Sequence, residues 1–313
     1  MNYIRLGNSG LKITELTLGS ALTIGTEIMD STYAEALVDK AWELGIRSFD
    51  VANSYGNGHA EILLGQCLKK YPREEYVLLT KGSLPIGPTP YHKGLSRKHI
   101  IWAFNNSLKR LNAEYVDVYF AHRYDPEVPM EEIVRTFNML IMSGKALYWG
   151  VSEWPYEALD ECIRTCDRLG LERPITEQFI YSFAVQKHVK SGYKNTCSQY
   201  GMGTMGFSPL CQGYLTGKYK NNIPSDSRIA KSDAIDYQKT KNFYPQNKNR
   251  IDSFLSICDK YNADYVAVAI QWCLRNDICP VFGSSKIEQI EKNVNALYIK
   301  VPDEIWAELS EVE

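Results

Sequence analysis

The feature that most constrains the fold of this 313-residue chain is an alternation between short apolar runs and longer amphipathic patterns, repeated eight times. Each short run is continuously apolar, which is typical of a strand buried on both faces of a parallel sheet. The eight candidate strands are LTLGS around residues 17–20, SFDVAN from Ser48, VLLTKG from Val77, VDVYFAH from Val116, LYWGVSE from Leu147, ITEQFI from Ile175, TMGFSP from Thr204 and PVFGSS from Pro280.

Between these runs, apolar residues recur at intervals of three and four, the period of a helix with one buried stripe. TYAEALVDKAWELG, RKHIIWAFNNSLKRLN and YEALDECIRTCDRLG are examples. Strands that alternate with helices imply right-handed crossovers, and eight such units predict a closed (β/α)8 TIM barrel of the α/β class. No linker rich in Pro, Gly or Ser divides the units, so we expect residues 1–313 to form a single barrel domain.

Additions to the barrel are predicted at both ends of the chain. The segment YIRLGNSGLKITEL reads as an N-terminal β-hairpin around Asn8, Ser9 and Gly10, which we expect to plug the bottom of the barrel. A long polar segment from Leu210 to about Asn242 follows the seventh strand, and long loops inside compact domains are usually functional. Three extra helices are predicted near the C-terminus, in RIDSFLSICDKYN, DYVAVAIQWCLRND and DEIWAELSEV.

The charge composition argues against several classes of partner. The 35 Lys and Arg residues are scattered among 37 Asp and Glu residues, which leaves no basic stripe for nucleic acid or an anionic membrane. The N-terminus has no apolar signal segment, and no window approaches the roughly 18 apolar residues of a membrane span. We therefore expect a cytoplasmic protein that acts on a small molecule, without a nucleic-acid or membrane partner.

Cysteine and histidine spacing predicts a metal-free protein. The eight cysteines lie far apart, and Cys162 and Cys166, the closest pair, have no histidine or second cysteine pair nearby to complete a zinc site. We expect all eight to be reduced and buried in the core. The five histidines form no metal-binding motif.

Four polar residues at successive strand ends form a chemical set. Asp50 ends the second strand, Tyr55 follows in the next loop, Lys81 ends the third strand and His122 ends the fourth. Because barrel active sites form at the C-terminal ends of the strands, these residues should meet. An ammonium beside a tyrosine makes the phenol a usable proton donor, a carboxylate keeps that ammonium charged, and a histidine can orient a carbonyl oxygen.

Each of these four residues also has an ordinary structural explanation when it is taken alone. Asp50 can cap a helix, Lys81 can be a solvated charge, His122 can be a core histidine and Tyr55 can pack as an aromatic. Their joint occurrence at neighbouring strand ends favours catalysis over four independent structural roles.

The motifs around these residues resemble the aldo-keto reductase family. FDVANSYGNGHAEILLG, LLTKG, DVYFAHRYDP, ALYWGVSEW, GFSPLCQGYLTGKY and GSSKIEQIEKNVNAL match the family pattern in order and spacing from about Leu18 to Ala296. The chain is most similar to the branch of potassium-channel β subunits and bacterial glyceraldehyde reductases. The resemblance implies NADPH-dependent reduction of an aldehyde or ketone, with Tyr55 as the general acid. In relatives that reduce carbon–carbon double bonds of steroids, glutamate stands in the place of His122.

The same resemblance implies a nicotinamide cofactor site at the barrel mouth. Ser152 and Gln178 would bind the carboxamide, and Tyr181 would stack on the nicotinamide ring. Lys286 and Ser285 would face the ribose 2′-phosphate, which favours NADPH over NADH. The remaining implied contacts are Gly19, Ser20, Ala21, Phe207, Ser208, Pro209, Leu210, Gln212, Gly213, Lys218, Arg228, Gly283, Gln289 and Asn293. Relatives often carry tryptophan in place of Ala21.

Two alternatives to a turnover enzyme remain open. The chain can be a cofactor-loaded redox sensor or accessory subunit, similar to the channel β subunits. It can also be a scaffold without chemistry, but the presence of all four residues Asp50, Tyr55, Lys81 and His122, called the tetrad below, disfavours this alternative. The resembling branch often forms tetramers or larger rings, so a homo-oligomer is possible, while other family members are monomers. The loops predict neither the physiological aldehyde or ketone nor the oligomeric state.

Overall fold

A computed structural model describes residues 1–25, 29–225, 227, 230 and 243–312 of the chain. In this part of the chain, a closed barrel of eight parallel strands follows an antiparallel hairpin. The hairpin strands are β1 (Tyr3–Arg5) and β2 (Lys12–Thr14). The barrel strands are β3 (Thr17–Gly19), β4 (Ser48–Asp50), β5 (Val77–Gly82), β6 (Val116–Ala121), β7 (Ala146–Ser152), β8 (Thr176–Ile180), β9 (Gly203–Phe207) and β10 (Ile278–Phe282). The predicted TIM barrel is therefore confirmed, and each of the eight predicted runs overlaps a strand.

The barrel closes where its last strand pairs with its first. Each strand pairs with the next in chain order, and β10 pairs with β3 as well as with β9. Sequential parallel pairing places the C-terminal ends of all eight strands on one face of the barrel. That face is called the mouth below.

Helices surround the barrel, as the amphipathic patterns predict. One helix follows each of the first five barrel strands, β3 to β7. In chain order these helices are α1 (Ser31–Glu43), α2 (His59–Leu68), α3 (Arg97–Leu111), α4 (Met130–Met142) and α5 (Tyr156–Leu169). Two short helices, α6 (Lys187–Lys190) and α7 (Tyr193–Gln199), follow β8. The predicted extra helices near the C-terminus are confirmed as α8 (Phe243–Lys260), α9 (Tyr265–Arg275) and α11 (Asp303–Ser310), while α10 (Ile287–Asn295) follows β10.

Local chemistry determines where several of these helices begin and end. Asp30, Ser96 and Asp264 precede α1, α3 and α9, and each side chain accepts a hydrogen bond from the backbone N–H three residues later. Such caps satisfy backbone donors that the first helical turn leaves unpaired. Gly170 ends α5 in the left-handed conformation, at φ 61°, which glycine adopts without steric cost.

Side-chain alternation along the strands creates two apolar layers. The larger layer lies between the strands and the helices, and the smaller one fills the barrel. The inner layer contains Leu6, Ile13, Leu79, Val118, Phe120, Met205, Cys279 and Val281. Leu6 and Ile13 belong to the hairpin segment, so the prediction that the hairpin plugs the bottom of the barrel is confirmed.

The eight cysteines are all buried, as predicted, and none is in a disulfide. No helix in the described ranges is both long and apolar enough to span a bilayer. Within the same ranges, no cluster of three or more His, Cys, Asp or Glu side chains is arranged to hold a metal ion.

Candidate active site

The inward-facing rows of barrel side chains end in polar residues at the mouth. Lys81 lies two residues after the inner-layer Leu79, and His122 lies two residues after the inner-layer Phe120. Because successive strand residues point to opposite faces, both polar side chains point toward the barrel axis. The neighbouring strand β4 ends at Asp50, which pairs in register with Leu79.

A buried ion pair forms the centre of the site. Lys81 Nζ donates to Asp50 Oδ1 at 2.5 Å and to the carbonyl oxygen of Val51 at 3.1 Å. Lys81 and Asp50 are only 0% and 2% exposed. Burial by itself lowers the pKa of a lysine, but the Asp50 carboxylate and the Tyr55 phenol outweigh it, and the pKa of Lys81 lies above its usual value. The ammonium therefore stays charged.

The second oxygen of Asp50 also has a partner. Gln178 Nε2, from the end of β8 across the barrel, donates to Asp50 Oδ2 at 2.9 Å. Both carboxylate oxygens are thus held, which fixes the direction from which the carboxylate faces Lys81. The contact of Gln178 with the cofactor stays a prediction, and in this structure its amide orients the Asp50 carboxylate.

A tight turn after β4 places Tyr55 next to the ammonium. Tyr55 begins a 3-10 helix, Tyr55–Gly58, and its hydroxyl accepts a hydrogen bond of 3.4 Å from Lys81 Nζ. The turn requires glycine at position 56, because φ is +54° and a Cβ atom there would lie 2.2 Å from the carbonyl oxygen of Gly25. The predicted proximity of tyrosine, lysine and aspartate is present in the structure.

The balance of effects on the Tyr55 phenol differs from the sequence argument. Burial raises the pKa of Tyr55 more strongly than the Lys81 ammonium lowers it, so the pKa lies above its usual value. The sequence shows the charge of Lys81 but not how much solvent the fold removes from the phenol. At neutral pH the phenol is protonated and is a proton donor.

His122 lies beside the tyrosine as a neutral imidazole. The Tyr55 and His122 rings are edge to face, with centroids 5.9 Å apart. Burial, followed by the positive charges of Lys81 and Arg123, lowers the pKa of His122 well below its usual value. His122 Nδ1 is buried, and no hydrogen-bond partner for it lies in the described part of the chain. Both polar side-chain atoms of Asn53 are in the same situation.

Arg123 is a mouth residue that the sequence argument did not single out. Its Nη1 donates to the carbonyl oxygen of His122 at 2.5 Å and to Ser152 Oγ at 3.1 Å. Its backbone N–H donates to Ser83 Oγ at 2.9 Å, which ties the end of β6 to the loop after β5. The available signal was a basic residue directly after His122 at a predicted strand end.

The stacking role predicted for Tyr181 does not fit its position. Gln178 points into the barrel, so alternation directs Phe179 and Tyr181 outward, and both belong to the outer apolar layer. Tyr181 is 0% exposed and offers no surface to a cofactor. Phe207 ends β9 two residues after the inner-layer Met205 and is half-buried, so its ring is the aromatic surface that faces the mouth.

The segment after β9 has the backbone form of a close-approach turn. Pro209 and Leu210 lead into a 3-10 helix, Cys211–Thr216. Gln212 Nε2 donates to Ser208 Oγ at 2.8 Å across this turn. Gly213 has φ +96°, and a Cβ atom there would lie 2.6 Å from the Lys218 side chain. Lys218 therefore packs against the turn, and its predicted contact with the cofactor stays a prediction.

The predicted phosphate contacts after β10 gather at the start of α10. The Ser285 backbone N–H and hydroxyl donate to Gln289 Oε1 at 2.9 and 3.4 Å. Lys286 is the residue immediately before the helix. Ser284 is 2% exposed, and its hydroxyl has no partner among the residues that the structure describes. Asn293, one helical turn after Gln289 in α10, is also buried.

The ends of β10 and β3 meet at the mouth. A Cβ atom on Gly283 would lie 3.6 Å from the carbonyl oxygen of Gly19 and 3.5 Å from that of Ala21. Ser20 donates through both its N–H and its hydroxyl to the carbonyl oxygen of Asp50, each at 2.9 Å. Of the predicted cofactor contacts, Arg228 lies outside the described residues.

Comparison with known proteins places this geometry in a family. The model of the aldo/keto reductase family matches residues 15–313. The chain belongs to the aldo/keto reductase family. This confirms the family resemblance that the motifs indicated, and membership supports an oxidoreductase function in general.

Three relatives of this aldo/keto reductase family member carry a common description. A putative voltage-gated potassium channel subunit beta of Schizosaccharomyces pombe is 38% identical, with 98% of this chain and 92% of the relative covered. Probable voltage-gated potassium channel subunits beta of Oryza sativa subsp. japonica and Arabidopsis thaliana are 38% and 37% identical, each over 95% of this chain and 91% of the relative. The similarity to the channel β subunit branch is thus confirmed.

Proposed function

We propose that this member of the aldo/keto reductase family reduces an aldehyde or ketone to an alcohol, with NADPH as the hydride donor. The observation that carries the proposal is the hydrogen-bonded chain from Asp50 through Lys81 to Tyr55, with a neutral His122 beside the phenol. Family membership supports redox chemistry, and the protonated phenol supports reduction of a carbonyl.

Each residue of the tetrad has one task in this reaction. A bound reduced nicotinamide supplies the hydride that the carbonyl carbon receives. Tyr55 donates its phenolic proton to the carbonyl oxygen, and Lys81 stabilises the phenolate that remains. Asp50 keeps the Lys81 ammonium charged in its buried position. His122 donates a hydrogen bond to the carbonyl oxygen and orients it toward Tyr55.

The residues around the tetrad suit a nicotinamide dinucleotide. Buried polar atoms that have no partner among the described residues mark both halves of the site, in His122 and the nearby Asn53 at the tetrad and in Ser284 near α10. Buried polar groups ordinarily find a partner, so these atoms fit contacts to a ligand. Phe207 supplies the stacking surface. Lys286 and Ser285, at the N-terminus of α10, suit a ribose 2′-phosphate and support NADPH over NADH.

The replacement Tyr55→Phe tests the proposed reaction. Removing the proton donor should lower kcat by about 100- to 10,000-fold, while the protein still binds NADPH. We would follow the absorbance of the reduced nicotinamide with a panel of aldehydes, dicarbonyls, quinones and cyclic ketones, with NADH in parallel. The matched control is Tyr156→Phe on α5, where the ring is 48% exposed. Full turnover by a folded Tyr55→Phe protein would contradict the proposal.

A second candidate function is a cofactor-loaded redox sensor or accessory subunit. It is favoured by the three relatives, which are named channel β subunits and align over more than nine-tenths of both chains. Tight NADPH retention without multiple turnover, together with a stable protein partner, would support it. A single domain over residues 1–313, a cytoplasmic location and a homo-oligomer remain predictions for this protein.

A further inference from the structure

Arg123 carries a half-buried positive charge at the mouth that has no carboxylate partner within the described residues. Its guanidinium makes two hydrogen bonds, both through Nη1, and both acceptors are uncharged oxygens. Nε and Nη2 have no hydrogen-bond partner in the same part of the chain. A half-buried cation without an opposite charge loses hydration and receives no ionic contact in return.

Other partly buried arginines of this protein are compensated. Arg73 pairs with a carboxylate at 2.6 Å and Arg110 pairs with another at 2.7 Å. Arg47 and Arg250 lie over aromatic rings, with centroids 3.7 and 5.1 Å from the guanidinium carbon. Within the described ranges, Arg123 has neither kind of partner. Its charge is therefore available to a ligand.

The acidic residue that follows Ser152 is already engaged elsewhere. Glu153 Oε1 accepts a hydrogen bond from the backbone N–H of Ile180 at 2.5 Å and lies 3.5 Å from His188 Nε2. Glu153 lies near enough for the Arg123 charge to lower the pKa of its carboxyl, but the two side chains form no ion pair within the described residues. The Arg123 guanidinium therefore keeps donors that no carboxylate occupies at the ends of β6 and β7. After burial and Lys81, the Arg123 charge further lowers the pKa of His122, and it opposes the burial that raises the pKa of Tyr55, so it acts at the reacting groups.

The barrel order separates Arg123 from the proposed phosphate contacts of the cofactor. Those contacts follow β9 and β10, whereas Arg123 follows β6. Around the closed barrel, β7 and β8 lie between β6 and β9, and β3, β4 and β5 lie between β6 and β10. The charge is thus on the side of the mouth opposite the cofactor phosphates.

We propose that Arg123 binds the anionic group, a carboxylate or a phosphate, of the carbonyl substrate. The proposal rests on the proposed reductase function and narrows its substrate class to aldehydes or ketones that carry a negative charge. A guanidinium presents a planar fork of N–H donors that matches either group. Nη1 holds the fork against Ser152, and Nε and Nη2 are the donors left for the anion.

A matched pair of substrates tests the proposal. Succinic semialdehyde and its methyl ester present the same aldehyde, one with a carboxylate and one without a charge. We expect the wild-type protein to have the higher kcat/KM for the anion. In Arg123→Gln, the ratio of the two kcat/KM values should fall about 10- to 100-fold, the effect of losing a hydrogen bond to a charged group. Arg123→Lys should keep part of the ratio, because it keeps the charge without the fork.

Arg164→Gln is the matched control, because that arginine lies on α5 with 76% of its side chain exposed. It should leave the substrate ratio at the wild-type value. An Arg123→Gln ratio equal to that of wild type would overturn the proposal. An unchanged ratio with weaker NADPH binding would also overturn it, because the charge would then serve the cofactor.

A binding experiment separates this proposal from the reductase function itself. Titration calorimetry with butanoate and with inorganic phosphate measures anion binding without turnover, and the tighter ligand identifies the preferred group. If no carbonyl compound is reduced, the reductase proposal fails, but anion binding that Arg123→Gln weakens still supports the anion site. Absence of any anion binding that depends on Arg123 would refute the site.

Discussion

At the scale of single residues, the site contains the buried ammonium of Lys81, which would lower the stability of the protein without the Asp50 carboxylate beside it. Lys81 and Asp50 are nearly inaccessible to solvent, and each supplies the other's counter-charge. A buried pair of this kind adds little net stability, but removing one partner leaves an unpaired charge in the interior. Asp50 therefore keeps a charged ammonium within hydrogen-bond distance of the Tyr55 hydroxyl.

The replacement Lys81→Met should damage both folding and chemistry. The unpaired Asp50 carboxylate should lower the free energy of unfolding by about 3–5 kcal/mol, which denaturant titration measures. The double variant Asp50→Asn with Lys81→Met should recover much of this stability, because no charge remains. It should recover no activity, since Tyr55 still lacks the ammonium. Recovery of wild-type kcat by the double variant would show that the charge is not needed for the reaction.

Sequence reasoning identified the tetrad at this scale because strand ends and residue types are both readable. The family resemblance assigned the stacking ring to Tyr181, although alternation from Gln178 places residue 181 on the outer face. The alternation of side chains along β8 is readable from the sequence. The raised pKa of Tyr55 was different, because the extent of burial depends on how the whole mouth packs.

At the scale of secondary structure, the side chains of Glu153 and Glu177 join the ends of β7 and β8 by hydrogen bonds. Glu177 Oε1 accepts a hydrogen bond from the backbone N–H of Glu153 at 2.8 Å, and Glu153 Oε1 accepts one from Ile180 at 2.5 Å. Glu153 has φ +55°, which is unusual for a residue with a side chain. These two hydrogen bonds hold together the strand ends that carry Ser152 and Gln178.

The replacement Glu177→Gln should flatten the dependence of stability on pH. Burial, and then the charge of Glu153, raise the pKa of Glu177 well above its usual value. Above about pH 4.3 the unfolded chain releases this proton while the folded protein keeps it, so wild-type stability falls as pH rises. Glutamine has no proton to release, so the variant should lose less stability between acidic and neutral pH.

Glu177→Ala is the informative companion variant. It removes the acceptor for the Glu153 N–H and should lower the free energy of unfolding by about 1–3 kcal/mol at every pH. Denaturant titrations at several pH values compare the three proteins. A Glu177→Gln protein with the same pH dependence as wild type would show that Glu177 does not carry the buried proton.

The limits of element prediction follow from helix length and pattern. The eight barrel strands were located by their apolar runs, although β3 and β4 are only three residues long in the structure. The helix α8 begins at Phe243, whereas the apolar periodicity that predicted it begins only at Arg250. The first seven residues of the helix, FYPQNKN, do not show that periodicity. The short helices α6 and α7 were missed, since four and seven residues are too few to show a helical period.

At the scale of the whole molecule, the barrel separates stability from chemistry along its axis. The hairpin covers the N-terminal ends of the strands, where Asn8 N–H donates to the carbonyl oxygen of Gly201 at 2.7 Å. The tetrad and the proposed cofactor contacts lie at the opposite end. The packed inner layer of the barrel separates the two ends. We therefore expect a change at the bottom of the barrel to affect the mouth only by unfolding the protein.

The replacement Ile13→Ala tests that separation. Ile13 is 0% exposed and fills the bottom of the inner layer, so the cavity left by alanine should cost about 2–5 kcal/mol in the free energy of unfolding. The kcat/KM measured at a temperature where the variant is fully folded should equal that of wild type. Ile62→Ala, at a residue that is 37% exposed on α2, is the matched control and should cost far less stability. If Ile13→Ala lowered kcat/KM while the melting curve showed an intact fold, the bottom layer would be coupled to the tetrad, and the barrel would transmit packing changes along its strands.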